Sequence, residues 1–206
     1  HDASYVNQVA PAAMIFVPSI GGRSHVEIEN TIEEWIQSDL DRMRALYLAS
    51  DLQLNDWCIA AGFVRNLVWD KLHRKEKPTP LNDLDLIYYN PCDIDSAKDR
   101  QLELRLKAIS HRPWSVKNQA RMHIRNKDNP YSSTLDAMSY WVELETAVGI
   151  KLTQTDEIEI VAPFGVANLF RNSITINNKR RKPEDFYKRI ENKNWLSQWP
   201  NLKVTV

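Results

Sequence analysis

The sequence predicts a single α+β domain, and three observations carry that expectation. Amphipathic helical stretches and short apolar strands follow one another irregularly along 206 residues, and IKLTQTDEIEIVAP reads as a β-hairpin. No linker, internal repeat or low-complexity tract divides the chain after residue 26. Hydrophobic residues at 43% and charged residues at 26% give an ordinary globular composition. A chain of this length buries roughly 70% of the surface that its unfolded form exposes.

The opening residues stand apart. HDASYVNQVAPAAMIFVPSIGGRSH begins without Met and has no helical or strand period, and its AAMIFV run is too short and lacks the basic flank of a signal peptide. Residues 1–26 are expected to be an N-terminal arm or a cloning remnant, and residues 27–206 the domain. No apolar run approaches the roughly 20 residues of a membrane helix. Cys58 and Cys92 form no CxxC pair and have no histidine at zinc spacing, so a reducing cytoplasm is the expected setting.

The elements follow in order. Thr31 and Glu34 can form a capping box ahead of NTIEEWIQSDLDRMRALYLAS, where Ile32, Ile36, Leu40, Met43 and Tyr47 recur at helical spacing. One amphipathic helix of about five turns is expected. WCIA is a short buried strand, Gly62 the turn, and FVRNLVWDKLH a helix with Phe63 and Leu67 inward. The prolines of HRKEKPTPLN forbid further helix. DLDLIYY alternates, with Leu84 and Leu86 on one face and Asp83 and Asp85 on the other. Asp93 or Asp95 caps SAKDRQLELRLKAIS, whose stripe is Leu102, Leu106 and Ile109. PWSVK is a strand and NQARMHIR a short helix; SSTLDAMSYWVELETAVG is a helix capped at Ser133 and stopped at Gly149. After the hairpin, FGVANLF, SITI and PEDFYKRIENKNWL give a short helix, a strand and a helix.

Twenty-seven basic residues balance twenty-seven acidic ones, which argues against a protein that lives wrapped in nucleic acid. The distribution is uneven: Glu27 to Asp56 is acidic, while Lys98 to Lys127 and NKRRKPEDFYKR are basic, so an anionic substrate has somewhere to sit. No G-x-x-x-x-G-K-[ST] loop is present, which removes the ordinary ATPase. His111 and His123 have no serine or cysteine partner in a nucleophile motif and are read as surface or capping residues.

The stretch AAGFVRNLVWDKLHRKEKPTPLNDLDLIYYN carries the chemistry. Carboxylates at i and i+2 on a strand project from one face about 6 to 7 Å apart and can share a hard cation such as Mg²⁺. A glycine opening the preceding helix lets the backbone approach a phosphate that the helix N-terminus favours. Strand, Gly, helix with Arg and Asn, loop, then Asp-hydrophobic-Asp-hydrophobic resembles the core signature of the DNA polymerase beta superfamily of nucleotidyltransferases. Its tRNA nucleotidyltransferase branch reads Gly-Gly-x-Val-Arg-Asp before the helix; here Ala61 replaces the first glycine and Asn66 the aspartate. Further blocks, WSVKNQARMH, PYSSTLDAMSYW, TAVGIKL, IEIVAPFGVANLF and the closing WP, are similar to a bacterial group described as nucleotidyltransferase family proteins, over roughly residues 30 to 205.

The resemblance implies a nucleotidyltransferase fold, a small mixed sheet flanked by helices, with an NTP as substrate and two Mg²⁺ ions held by three carboxylates. Asp83 and Asp85 would be the first two, both catalytic and metal-binding. The third usually lies on a later strand between hydrophobic neighbours, where Trp114-Ser115-Val116 offers only Ser115 and Ile158-Glu159-Ile160 offers Glu159. Gly62, Arg65, Asn66 and Lys117 are the expected nucleotide or phosphate contacts, with Asn118 and Arg121 also beyond the later strand. The acceptor can be a small molecule, a protein or RNA, though zero net charge and the lack of a long C-terminal helical body weigh against RNA. The alternative is a catalytically silent nucleotide-binding or interaction protein of the same fold.

Overall fold

A computed structural model describes Gly22 and residues 24–206. Of the arm expected over residues 1–26, residues 1–21 and 23 lie outside the described residues. Its end already belongs to the domain, because Ser24 caps α1 (His25–Gln37) in a capping box with Glu27. The box expected at Thr31 and Glu34 is not used; the Thr31 hydroxyl instead donates to the Glu27 carbonyl one turn back, at 2.6 Å.

The single long helix expected here is two. Asp39 takes the hydrogen bonds of the next helix's first turn, from the Asp41 and Arg42 backbone N–H groups at 3.1 and 3.0 Å, and starts α2 (Leu40–Ser50). Leu40, expected inside, opens α2 and is 84% exposed, and Tyr47 is exposed as well. Ile32 and Ile36 are buried as expected.

The chain continues as β1 (Cys58–Ala60), α3 (Gly62–Leu72), β2 (Leu84–Tyr88), α4 (Ser96–Ser110) and β3 (Trp114–Asn118). A 3₁₀ turn then leads into α5 (Met122–Asn126), followed by α6 (Thr134–Met138), β4 (Gly149–Leu152) and β5 (Ile158–Val161). The last part is β6 (Ser173–Thr175), α7 (Pro183–Asn192), α8 (Trp195–Gln198) and β7 (Lys203–Thr205). Five strands form one mixed sheet in the order β3-β2-β1-β4-β5, with β2 and β3 parallel and the other pairs antiparallel, while β6 and β7 pair separately. The α+β expectation holds, and so does the hairpin, as β4 and β5.

Each face of this sheet has its own cluster. Leu84, Leu86, Ile59 and Val116 pack with α1, α2, α3 and α4 on one side. Cys58, Ala60 and Ile87 pack with Met138 and Ala147 on the other, the face that Asp85 shares. On α4, Leu102 and Leu106 are buried but Ile109 is not, because the helix also turns carboxylates toward β3. Glu103 accepts from the Val116 N–H at 3.2 Å and Asp99 from the Asn118 N–H at 3.1 Å, so the open edge of β3 is satisfied by side chains.

The long helix expected up to Gly149 stops at Met138. Beyond it Glu143 and Glu145 are buried and bound by the C-terminal part of the chain, contacts that a continuous helix would turn away. Gly149 begins β4 opposite Ala60, and a Cβ built there would lie 2.5 Å from Cys58 Sγ. The residue is small because two strands meet closely, not because a helix ends. Gly149→Ala is expected to lower the stability to urea by about 2 kcal/mol, the cost of overpacking a dense core, whereas Gly149→Ala combined with Cys58→Ala should recover part of that loss.

Candidate functional site

The site begins where β1 runs into α3. The turn conformation expected of Gly62 belongs to its neighbour: Ala61 has φ 58° and ψ −121°, a region that glycine tolerates and alanine does not. Ala61 is held there by its N–H to the Val148 carbonyl at 2.8 Å and by accepting the N–H groups of Val64 and Arg65. Gly62 is the first residue of α3, whose N-terminus has no side-chain cap. Since this position carries glycine in the signature the sequence resembles, Ala61→Gly is expected to stabilise the protein by about 1 kcal/mol in chemical denaturation.

Nearly the whole of α3 is buried, from Gly62 through Asp70, so its polar residues are locked by partners. Arg65 is 6% exposed. Its guanidinium donates to Thr146 Oγ1 at 2.8 Å and to Asn66 Oδ1 at 2.9 and 3.2 Å, and it lies over the rings of Trp195 and Trp69 at 4.5 and 5.1 Å. Burial lowers its pKa to about 10, so it stays a cation at neutral pH. The charges it feels include Glu143, Asp83 and Asp85. Arg65 and Asn66 thus form a fixed positive floor beneath the site, with each guanidinium nitrogen holding one hydrogen bond.

Asp83 precedes β2 and Asp85 lies within it, both half-buried on the face opposite Leu84 and Leu86. Parallel register sets Ser115 of β3 directly beside Asp85. Burial first, and then the neighbouring Asp83 charge, pushes the Asp85 carboxyl above its ordinary pKa; a hydroxyl contact from Ser115 and the charges of Lys193 and Arg65 pull the other way. Lys193, at the C-terminal cap of α7, reaches Asp83 Oδ2 at 3.4 Å.

A cavity of ≈ 380 Å³ opens in front of Asp85. Ser115, Lys117 and Ala61 line its sheet side, and Arg125, Arg180 and Arg189 bring cations from α5, the segment before α7, and α7. Tyr140 and Trp141 add aromatic faces. One carboxylate therefore looks into a pocket with four cationic side chains, an arrangement that suits an anionic ligand with a flat ring.

Of the residues expected from sequence, Asp85, Ser115 and Lys117 meet at the cavity, with Asp83 next to Asp85 outside its lining and Gly62, Arg65 and Asn66 behind them. Glu159 does not join them. It lies on β5, three strands from β2, and pairs with Lys151 at 2.9 Å. Asn118 and Arg121 are held elsewhere: Asn118 ties the end of β3 to the Asn90 and Asp93 carbonyls at 2.8 Å each, and Arg121 pairs with Asp99. Arg180, Arg189 and Lys193 were not expected. Arg189 and Lys193 stand four apart, which puts two cations on one helix face, but no local signal says that this face looks at β2.

The raised Asp85 pKa has a consequence for stability. In the unfolded chain the carboxyl loses its proton at lower pH than in the fold, so between the two pKa values the folded state holds more protons and stability falls as pH rises. Above the folded pKa the penalty is constant. Asp85→Asn is therefore expected to raise the urea midpoint of the ligand-free protein at pH 7, with the difference from wild type shrinking toward pH 3. A variant less stable than wild type at pH 7 would refute the electrostatic account.

Comparison with known proteins follows the same line. A family model described as nucleotidyltransferase matches residues 47–204. A solved structure described as an NMR structure revealing a CCA-adding enzyme head domain is 31% identical, with a TM-score of 0.75, and the match covers 85% of this chain and 95% of that one. Two structures described as tRNA-processing enzymes, one in an apo form and one in a complex, are 16% and 15% identical with TM-scores of 0.49 and 0.47. Those matches cover 78% of this chain and only 44% and 42% of the larger proteins. No curated protein matches.

Proposed function

Because the chain belongs to the nucleotidyltransferase family and has its fold, we propose that it is an Mg²⁺-dependent enzyme that moves an NMP group from an NTP to a hydroxyl or phosphate acceptor. The observation that carries this reading is Asp85, with the Asp83 charge beside it, lining a basic cavity with aromatic walls. The donor set suits a hard cation: two carboxylates repel each other on one strand face, and a neutral hydroxyl stands beside them. When bound, Mg²⁺ supplies Lewis-acid neutralisation of charge on the transferring phosphoryl group.

The protein's own residues do the rest. Lys117 and Arg125 draw the phosphates into the cavity, Arg180 and Arg189 stand behind them in ion pairs with Asp128 and Glu143, and Tyr140 or Trp141 offers a face for the base. The acceptor oxygen forms a bond to the α-phosphorus while the bond to the bridging oxygen breaks, and pyrophosphate leaves with the electron pair. The proton of a hydroxyl acceptor passes to solvent. Arg65 keeps a fixed positive charge below the carboxylates without touching the substrate. The acceptor can be a small molecule, a protein or RNA, and an RNA end draws support from the neighbour described as a CCA-adding head domain. Among the described residues, no helix is long and apolar enough to cross a membrane; a cytoplasmic setting remains part of the proposal.

The neutral Ser115 beside Asp85 favours a second reading, a nucleotide-binding descendant that no longer transfers. Thermal midpoints with each of the four NTPs, with and without Mg²⁺, test both. A ligand at about 100 times its Kd should stabilise by roughly 2.7 kcal/mol, and the shift should need metal and vanish in Asp83→Asn, which stays folded because its side chain is half-exposed. No shift with any NTP would remove the nucleotide readings altogether. A shift without pyrophosphate release in an acceptor screen would favour the silent protein.

A further inference from the structure

We infer that the Asp83–Asp85 site takes one divalent cation, not the two that a three-carboxylate site holds, and that Lys193 competes with that ion for Asp83. This inference rests on the nucleotidyltransferase reading and concerns its metal count. The position beside Asp85 on the neighbouring parallel strand is Ser115, a hydroxyl with no formal charge. Among the described residues, no three His, Cys, Asp or Glu side chains come together as a metal-holding group.

Other acidic side chains that could turn toward the pair are engaged. Glu143 is buried and gripped by Arg189 Nε and Nη2 at 2.6 and 3.2 Å. Glu145 accepts from Ser173 Oγ, Thr175 N and Thr175 Oγ1 at 2.9, 2.8 and 2.7 Å. Glu159 lies three strands away with Lys151.

Charge balance points the same way. Lys193 at 3.4 Å from Asp83 and Arg65 below already offset the two carboxylate charges, so the first divalent ion leaves the ligand-free site net positive. A second divalent ion would have to enter next to these cations with no carboxylate of its own. With one ion, Lys117 and Arg125 are the cavity cations left to face the phosphates, since Arg180 and Arg189 are paired with Asp128 and Glu143. Lys193 competes with the single ion for Asp83, so losing it should tighten metal binding.

The test is a titration of the full chain with Mn²⁺, read by loss of the free-ion EPR signal, alone and with one equivalent of inorganic tripolyphosphate, the ion held by tripolyphosphate in a protein-free titration being subtracted. One Mn²⁺ per chain is expected in both conditions, with binding lost in Asp83→Asn. Lys193→Ala should bind the ion several-fold more tightly. Ser115→Asp, which restores a third carboxylate, should bind a second ion; if that variant does not fold, Lys193→Ala carries the test. Two ions per wild-type chain, or unchanged affinity in Lys193→Ala, would overturn this inference and leave the transfer reading standing. No Mn²⁺ bound in either condition, or binding unaffected by Asp83→Asn, would overturn the assignment of the carboxylate pair itself.

Discussion

The fold depends on a helix with almost no solvent face. From Gly62 to Asp70, α3 is enclosed on all sides, so whatever polar group it carries must find a partner inside the protein. Phe63, Val64, Leu67 and Val68 belong to the cluster that fills the sheet's helical side, whereas Trp69 belongs to a second cluster built from Ile174, Phe186, Trp195 and Trp199. The two apolar clusters thus meet on this helix. The C-terminal segment must wrap around α3 to bury Trp69, and in doing so it brings α7 up to β2.

Two polar residues make that enclosure specific. Asp70 accepts from Trp199 Nε1 at 2.8 Å and from the Thr79 backbone and hydroxyl at 2.7 Å each, which fixes the loop before β2 and the chain's end to one carboxylate. Arg65, five residues earlier, does the same for Thr146 and for the ring of Trp195. Removing one partner from such a buried set leaves an unpaired group, costlier than the contact was worth. The site's positive floor and the packing of the C-terminus are therefore the same set of contacts.

How much of this was legible in the sequence follows from the range of each interaction. Strands β2 and β5 show in the alternation of Leu84, Leu86, Ile158 and Ile160, and the Asp83–Asp85 face follows from strand geometry alone. The break between α1 and α2 had a local cause, the Ser38–Asp39 pair, but the apolar period running through it hid the cap. Ile109 and Leu40 kept helical spacing and still ended outside, since period marks a face and not what covers it. Arg65 read equally as a phosphate clamp or a partner of a carboxylate, because nothing near it announces that Trp195, far along the chain, closes over it. Lys193 and Arg189 were invisible for the same reason, their partner Asp83 or Glu143 being set by the wrapping of the C-terminus.

That wrapping also explains why a strained turn and a repelling carboxylate pair persist side by side. Ala61 keeps a conformation suited to glycine because Val148 and the first turn of α3 hold its backbone from both sides. Asp83 and Asp85 stay close because β2 is fixed by strands on either side and by Asp70 at the loop before it, so neither carboxylate can move away. A structure optimised only for stability would place a neutral residue at one of these positions. The fold instead spreads the cost over α3, whose two apolar clusters hold the turn, the strand and the cationic helix in one arrangement. The residual repulsion is what a cation would relieve, and Lys193 and Arg65 already relieve part of it.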